Sequence, residues 1–214
     1  MHSQADPHRG QPVGRGGVPI AEARLVAILL HGRGASPDDI LGLSREFSAS
    51  DVAYLAPQAS GHTWYPYSFL APIPQNEPGI SSGLRVIANL VDGLDAQGVS
   101  SDRVVLMGFS QGACLMLEFA ARHARRYAGI AALSGGLIGP PGTPRDYAGT
   151  FDGTPVFIGC SDVDAHVPLD RVRESTSVLR RMGASVDERI YRGMGHTVNQ
   201  DELDAVDGLL ANST

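Results

Sequence analysis

The fold is decided by the stretch VVLMGFSQG at residues 104–112 and by the run ACLMLEFAA that follows it at residues 113–121. The first four residues are continuously apolar, which is typical of a strand buried on both faces of a parallel sheet. The second run is apolar and long enough to form a buried helix. Between them, the pentapeptide Gly108-Phe109-Ser110-Gln111-Gly112 predicts a sharp turn from strand to helix, with Ser110 at its apex.

Ser110 is a candidate nucleophile because of the backbone that would present it. A serine projected from such a turn has a strained conformation, and Gly108 and Gly112 remove side chains that would collide there. Ser110 would also lie at a helix N-terminus, where developing negative charge is favoured. A G-x-S-x-G pentapeptide alone often occurs by chance in a Gly-rich chain, but the flanking strand and helix favour the functional interpretation.

Strand and helix patterns alternate along the rest of the chain. The clearest helix is predicted over residues 80–94, whose apolar side chains fall on one face, with Ser81 or Ser82 able to cap its start. Another helix is predicted after Pro168, and the last helix begins near Asp201. This alternation predicts an α/β three-layer sandwich with a mostly parallel central sheet. Its strands are expected at residues 25–30, 52–55, 104–107, 130–133, 156–158 and 186–190.

Composition limits the classes of protein to which the chain could belong. Its 214 residues, 43% of them hydrophobic, suffice for one core, so we predict a single domain over residues 18–214. Residues 1–17 are polar and Gly-rich, which predicts a flexible or loosely docked arm in which His2 and His8 are solvated. The net charge of −6 and the lack of a basic run argue against a nucleic-acid partner. With two cysteines and no stretch of ~20 apolar residues, a cytoplasmic protein without membrane insertion is expected.

The base that would activate Ser110 is predicted to be His196. A serine hydroxyl group needs a neighbouring base, and histidine is the usual choice near neutral pH. His196 lies in a Gly-rich loop after the last predicted strand and before the last helix, which satisfies the order serine, acid, histidine of the α/β-hydrolase fold. Among the other histidines, His62 and His166 lie in loops that could also reach the site.

The acid that orients the imidazole is expected in the loop after the predicted strand 156–158. Asp162 and Asp164 both lie there, and either spacing from Gly159 is possible. Both aspartates therefore remain candidates on spacing alone.

An oxyanion hole is predicted from Leu29-Leu30-His31-Gly32-Arg33-Gly34, which follows the first strong strand. This fold takes one oxyanion donor from that position and the other from the residue after the nucleophile. The donors would be the backbone N–H groups of Arg33 and Gln111. The alternative is a phosphate-binding loop, but the segment lacks the pattern G-x-x-x-x-G-K-[ST]. The Arg33 side chain could attract acidic substrates or be solvated.

Together, these segments resemble the phospholipase/carboxylesterase family, which includes acyl-protein thioesterases and small bacterial carboxylesterases. The resemblance spans about residues 24–211 and implies an intracellular hydrolase without a cofactor or metal ion, often a homodimer. It also implies a triad of Ser110, Asp164 and His196, with Asp162 in a supporting or loop-capping role. The loop at residues 61–67 departs from the thioesterases, and Ala165 stands where proline is more usual. The motifs that support the resemblance are HGRG at 31–34, GFSQG at 108–112, LSGG at 133–136, DAHVP at 164–168 and GMGH at 193–196.

The shape of the substrate site is expected to depend on residues 135–153, a Pro- and Gly-rich interval too irregular to build the helical cap of many hydrolases of this fold. Without a cap domain, the site should be a shallow, solvent-open groove suited to short or medium acyl chains and aryl esters. We predict that Trp64, Tyr65 and His31 contact the substrate. The alternative for the aromatic side chains is ordinary packing over the sheet edge. Cys114 is expected to be a core residue.

Three functional hypotheses compete. The first is a carboxylesterase or thioesterase that acts on a small-molecule ester through an acyl-enzyme on Ser110, with His196 moving the proton. The second is a non-catalytic binding protein of the same fold, but such proteins usually lose a triad position and here all three are filled. The third is a peptidase or a lysophospholipase, with Arg33 steering an anionic head group. The filled triad favours the first hypothesis.

Overall fold

Seven strands form one sheet in the computed structural model, which describes residues 6–212. In chain order they are β1 (Val13–Gly17), β2 (Leu25–Leu30), β3 (Val52–Pro57), β4 (Val104–Phe109), β5 (Gly129–Leu133), β6 (Pro155–Ser161) and β7 (Ser185–Tyr191). Across the sheet, their order is β1-β3-β2-β4-β5-β6-β7. Strand β1 is antiparallel to β3, and the other neighbouring pairs are parallel. The prediction of a mostly parallel central sheet is confirmed.

Helices cover both faces of the sheet. They are α1 (Pro37–Gly42), α2 (Gly79–Asp95), α3 (Gln111–Arg122), α4 (Leu169–Arg181) and α5 (Gln200–Asn212). Helices α2, α3 and α4 contribute to the apolar core on one face, and α1 and α5 contribute to the core on the other. This arrangement confirms the predicted three-layer α/β-hydrolase fold. Across residues 6–212, none of the helices combines the length and the apolar character that crossing a bilayer requires.

The central strands are buried on both faces, which explains why their sequences are continuously apolar. In β2, Val26 and Ile28 pack in the core beneath α2, α3 and α4. Leu25 and Leu29 point the other way, into the core beneath α1 and α5. Because parallel strands end at the same edge of a sheet, the loops that follow β2, β4, β6 and β7 meet at one place.

Residues 6–17 are part of the fold, contrary to the prediction of a flexible or loosely docked arm over residues 1–17, of which residues 1–5 lie outside the described residues. Residues 13–17 form the edge strand β1, and His8, expected to be solvated, is only 3% exposed. The strand was missed because its sequence, VGRGG, carries almost no apolar signal. A Cβ atom at Gly14 would lie 2.8 Å from the Cβ atom of Pro37, so glycine is what lets α1 pack against it. His2 lies outside the described residues, and the grouping of residues 18–214 as one domain stays a prediction.

The predicted cap of α2 is wrong. Neither Ser81 nor Ser82 caps this helix, which begins at Gly79 directly after Pro78. The hydroxyl group of Ser82 is buried and donates instead to the carboxylate of Asp6. Ser82 therefore serves the N-terminal segment rather than its own helix.

The interval between β5 and β6 contains no helix or strand in the part of the chain that the structure describes, which confirms the prediction that it builds no cap domain. A buried charged network holds it in place. Glu118 on α3 accepts a hydrogen bond from the backbone N–H group of Ile138 at 3.1 Å, and Arg145 donates to the carbonyl oxygen of Ile138 at 2.7 Å. Arg171 on α4 donates to two further carbonyl oxygens of the interval. The long loop is therefore fixed to two helices.

Candidate active site

Ser110 lies at the apex of the turn between β4 and α3, where the motif predicted it. Its φ of 54° and ψ of −118° are strained values for a residue other than glycine. A Cβ atom at Gly108 would lie 2.6 Å from the carbonyl carbon of Gly112, and one at Gly112 would collide with the carbonyl oxygen of Leu30. Gly108 is therefore required for β4 and α3 to approach this closely, and Gly112 for α3 to approach the end of β2.

A chain of hydrogen bonds joins Ser110, His196 and Asp164. His196 Nε2 is 2.7 Å from Ser110 Oγ, and His196 Nδ1 is 2.6 Å from Asp164 Oδ2. An ionised carboxylate only accepts, so Nδ1 carries the ring proton and Nε2 accepts from the serine hydroxyl group. The imidazole is packed against the rings of Phe109 and His166, at centroid distances of 5.1 and 4.8 Å. This geometry allows His196 to take the proton of Ser110.

Asp164, rather than Asp162, is the aspartate that contacts His196. Its side chain is fully buried, and its Oδ1 accepts hydrogen bonds from the backbone N–H groups of His166 and Val167 at 2.8 and 3.0 Å. Burial by itself raises the pKa of a carboxyl group. The hydrogen bonds from His196 and from the two backbone groups outweigh that effect, so the pKa of Asp164 lies below its ordinary value. Asp164 is therefore ionised at neutral pH and can stabilise a positively charged His196.

Two residues shortly before Asp164 in the chain hold the loop that carries His196. Asp162 Oδ1 accepts from the backbone N–H group of Gly193 at 2.8 Å, which agrees with the supporting role expected for Asp162. Ser161 Oγ accepts from the N–H group of Gly195 at 3.2 Å. Sequence reasoning missed Ser161, and its only signal was its place at the end of an apolar strand. The two contacts fix the histidine loop to the end of β6.

The predicted oxyanion donors lie on segments that meet at Ser110. Gln111 begins α3, so its N–H group is one of those that have no acceptor within the helix. Arg33 follows β2, and the preceding Gly32 packs against the nucleophile, because a Cβ atom on Gly32 would lie 3.5 Å from the Ser110 Cβ atom. The two segments that carry Arg33 and Gln111 therefore both reach Ser110, and the role of their N–H groups as oxyanion donors stays a prediction.

The loop at residues 59–67 braces Arg33 and Gln111, the two predicted donor residues, through their side chains. The carboxamide of Gln111 accepts from the N–H group of Trp64 at 2.8 Å and donates to the carbonyl oxygen of Tyr65 at 2.7 Å. The guanidinium group of Arg33 donates to the carbonyl oxygens at residues 66 and 67, at 2.8 and 2.7 Å. The Arg33 side chain therefore has a bracing role, and it is also exposed, as one of the two roles considered from the sequence requires, and lines the cleft beside Ser110.

A cleft of about 540 Å³ opens beside Ser110. Tyr65 and Phe69 contribute an apolar wall to the cleft, and contact of Tyr65 with a substrate stays a prediction. Cys114 also lines the cleft although it is almost fully buried, so it belongs to the floor. Of the two loop histidines that could reach the site, His166 lines the cleft beside His196 and His62 does not line it.

Trp64 and His31 do not line this cleft, contrary to the prediction that they contact the substrate. Both are fully buried, and the indole N–H group of Trp64 donates to the carbonyl oxygen of His31 at 3.0 Å. Burial lowers the pKa of His31, whose Nε2 accepts from the N–H group of Ala59 at 3.1 Å. His62 lies near the same segment, where its carbonyl oxygen accepts from the N–H group of Gly34. These residues support the segment at residues 29–34 from which one oxyanion donor is predicted. For Trp64, the packing alternative considered from the sequence therefore describes its place better than substrate contact.

Both cysteines are free and buried. Burial raises the pKa of Cys114 and of Cys160 to about 12, so neither thiol ionises near neutral pH. Cys114 is a core residue, as predicted. Within residues 6–212, no group of three or more His, Cys, Asp or Glu side chains is arranged to hold a metal ion.

Comparison with known proteins places this geometry in a family. A crystal structure described as a phospholipase/carboxylesterase from Dyadobacter fermentans is 40% identical to the chain, with a TM-score of 0.91 over 99% of both chains. A carboxylesterase from Bacillus cereus, 16% identical over 96% of both chains, has a TM-score of 0.76 and shares the fold.

Among curated proteins, acyl-protein thioesterase 1 of Gibberella zeae is 31% identical over 139 residues, which cover 64% of this chain and 59% of that protein. The chain thus spans a little over half the length of such relatives. The family model for phospholipases and carboxylesterases matches residues 18–213, which include β2 to β7 and every residue of the Ser110 site. The chain therefore belongs to the phospholipase/carboxylesterase family.

Proposed function

We propose that the protein hydrolyses carboxylic esters through an acyl-enzyme formed on Ser110. The observation that carries the proposal is the hydrogen-bonded chain from Ser110 Oγ through His196 to the buried carboxylate of Asp164, beside an apolar cleft. The three groups have complementary tasks as nucleophile, base and stabilising charge. Membership of the phospholipase/carboxylesterase family supports ester bonds as the target.

The reaction begins when Ser110 Oγ bonds to the acyl carbon and its proton passes to His196 Nε2. The backbone N–H groups of Arg33 and Gln111 stabilise the oxyanion, and Asp164 stabilises the charged imidazole. The tetrahedral intermediate then expels the alcohol, which takes the proton from His196 and leaves the acyl group on Ser110. Water attacks the acyl carbon next, His196 accepts a proton from it, and the acid departs as Ser110 regains its hydrogen.

The cleft supports short or medium acyl chains and aryl esters as substrates. Its volume suits a small molecule, its wall is apolar, and the interval after β5 builds no domain above it. Thioester hydrolysis is the second candidate, supported by the similarity to an acyl-protein thioesterase, and it would use the same steps. Two free thiols support a reducing compartment such as the cytoplasm.

The test is turnover on p-nitrophenyl esters and acyl-CoA thioesters of graded chain length. Ser110→Ala should lower kcat by about 10⁴-fold or more, because no other group supplies the nucleophile. Ser177→Ala, an exposed serine on α4, is the matched control and should keep wild-type rates. Preference for short esters supports the proposal, and preference for long thioesters supports the second candidate. A wild-type protein inactive on both panels, or an active Ser110→Ala variant, contradicts both.

A further inference from the structure

The N-terminal segment reaches the loop that braces the oxyanion donors, and His8 makes the connection. His8 Nδ1 accepts from the N–H group of Ser60 at 3.0 Å, and its Nε2 donates to the carbonyl oxygen of Trp64 at 2.9 Å. The Ser60 group can only donate and the Trp64 group can only accept, so the partners select the neutral tautomer with its proton on Nε2. Burial lowers the pKa of His8, which favours the same neutral form. One imidazole therefore ties together both ends of residues 60–64.

A second set of contacts fixes His8 itself to α2. The backbone N–H group of His8 donates to Ser82 Oγ at 3.0 Å. The hydroxyl group of Ser82 donates in turn to the carboxylate of Asp6, which also pairs with Arg85 at 3.3 Å. Both Ser82 and Arg85 lie in the first turns of α2. The imidazole is thus held from a helix of the core rather than from a free chain end.

Trp64 connects His8 to the two segments that carry the proposed oxyanion donors. The two rings meet edge to face, with centroids 5.2 Å apart. The Trp64 carbonyl oxygen is bound by His8, its N–H group is bound by the Gln111 carboxamide, and its indole is bound by the His31 carbonyl oxygen. Gln111 carries one proposed oxyanion donor, and His31 lies two residues before Arg33, which carries the other. Trp64 therefore links His8 to both donor segments.

We propose that His8 is a positioning residue for the oxyanion hole, holding the loop at residues 60–64 so that the donors at Arg33 and Gln111 face the reacting carbonyl oxygen. This inference rests on the proposed ester hydrolysis. Donors of this kind act on the tetrahedral intermediate more than on the bound ester, so their displacement lowers kcat and leaves KM nearly unchanged. A side chain that only stabilised the fold would change the unfolding temperature without changing kcat in the folded protein.

The experiment compares the full-length wild type with His8→Ala, His8→Gln and the control Arg9→Gln, which changes an exposed neighbour in the same segment. On p-nitrophenyl acetate, we expect His8→Ala to lose about 10- to 100-fold in kcat, the cost of a small displacement of catalytic groups, with KM within about threefold. His8→Gln can still donate to the Trp64 carbonyl oxygen and should recover part of the loss. Trp64 is the only tryptophan in the chain, so its fluorescence should change in His8→Ala and not in Arg9→Gln.

The outcomes separate this inference from the proposed function. An active wild type, an inactive Ser110→Ala and a folded His8→Ala with wild-type kcat would overturn the role of His8 and leave the esterase proposal intact. A wild type without activity would overturn both. If His8→Ala does not fold, Ser82→Ala loosens the same segment while keeping the imidazole, and an unchanged kcat in that folded variant would refute the inference.

Discussion

Replacing Asp164 with asparagine would remove the charge beside His196 while keeping the shape of the side chain. Because Oδ1 of Asp164 accepts two backbone N–H groups, the asparagine has to place its oxygen there and point its NH₂ group at His196 Nδ1. An NH₂ group donates, so Nδ1 becomes the acceptor and the ring proton moves to Nε2. His196 then presents a donor to Ser110 and can no longer take the serine proton.

The loss follows from these two defects, the wrong tautomer and the missing negative charge. Together they should lower kcat by about 10³- to 10⁴-fold, equivalent to about 4 to 5.5 kcal/mol of activation free energy. Asp164 does not line the cleft, so KM should stay within about threefold of its wild-type value. The effect should therefore lie almost wholly in kcat.

The assay is the initial rate on p-nitrophenyl acetate near pH 7.5, with thermal unfolding to show that each variant is folded. Asp162→Asn is the matched control, because its side-chain oxygen can still accept from the N–H group of Gly193. We expect less than about a fivefold change in that variant. An Asp164→Asn protein within tenfold of the wild type, or a larger loss in Asp162→Asn, would refute the assignment of the acid.

Two further predictions concern stability. Burial raises the pKa of Glu202 to about 7 from an ordinary 4.5, so the folded state binds this proton more tightly than the unfolded state. Relative to Glu202→Gln, the wild type should therefore lose about 3 kcal/mol of unfolding free energy as pH rises from 4.5 to 7. Urea unfolding at several pH values measures this difference, and parallel plots of unfolding free energy against pH for the two proteins would contradict it. Gly112→Ala should cost more than about 3 kcal/mol and abolish activity, because the new Cβ atom collides with the carbonyl oxygen of Leu30. Gly93→Ala in α2 is the matched control, because apart from the adjacent backbone of α2 nothing lies within 4 Å of the new Cβ atom. It should be neutral or stabilising by about 0.5 to 1 kcal/mol, and similar melting temperatures for the two variants would contradict the collision at Gly112.

The features that could be predicted are those encoded in a local pattern. Continuously apolar runs identified five strands, β2 to β6, because a strand buried on both faces needs apolar side chains at every position. Strand β7 lies at the sheet edge and was predicted at residues 186–190 although Asp187, Glu188 and Arg189 interrupt its apolar side chains. Ser110 followed from two glycines at a strand-to-helix turn, whose spacing the close approach of the backbone requires. The position of His196 followed from the order of elements along the chain, since the loops after parallel strands meet at one sheet edge.

The remaining features depend on contacts between distant residues. Spacing alone leaves Asp162 and Asp164 equivalent, and it was the resemblance of the DAHVP segment at 164–168 that favoured Asp164. The physical difference is the turn that brings the N–H groups of residues 166 and 167 onto Asp164. Trp64 could have lined the cleft or packed beneath it, because an indole suits either place. His8 donates to the carbonyl oxygen of Trp64, which lies 56 residues further along the chain, and nothing in the Gly-rich sequence around His8 indicates that partner.

The charged network that holds the interval after β5 also reaches the wall of the cleft. Gly139 in that interval donates its N–H group to the carbonyl oxygen of Phe69, and the Arg171 guanidinium lies 6.0 Å from the centre of the Phe69 ring. Because this wall is anchored to the body of the protein, we expect that no part of it within residues 6–212 has to move as a lid before a substrate enters or a product leaves. We expect turnover to be insensitive to solvent viscosity below the diffusion limit. The initial rate on a sparingly soluble ester should then rise smoothly as the ester concentration passes its critical micelle concentration. An enzyme whose lid opens at an oil–water interface would instead show an abrupt increase in rate at that concentration.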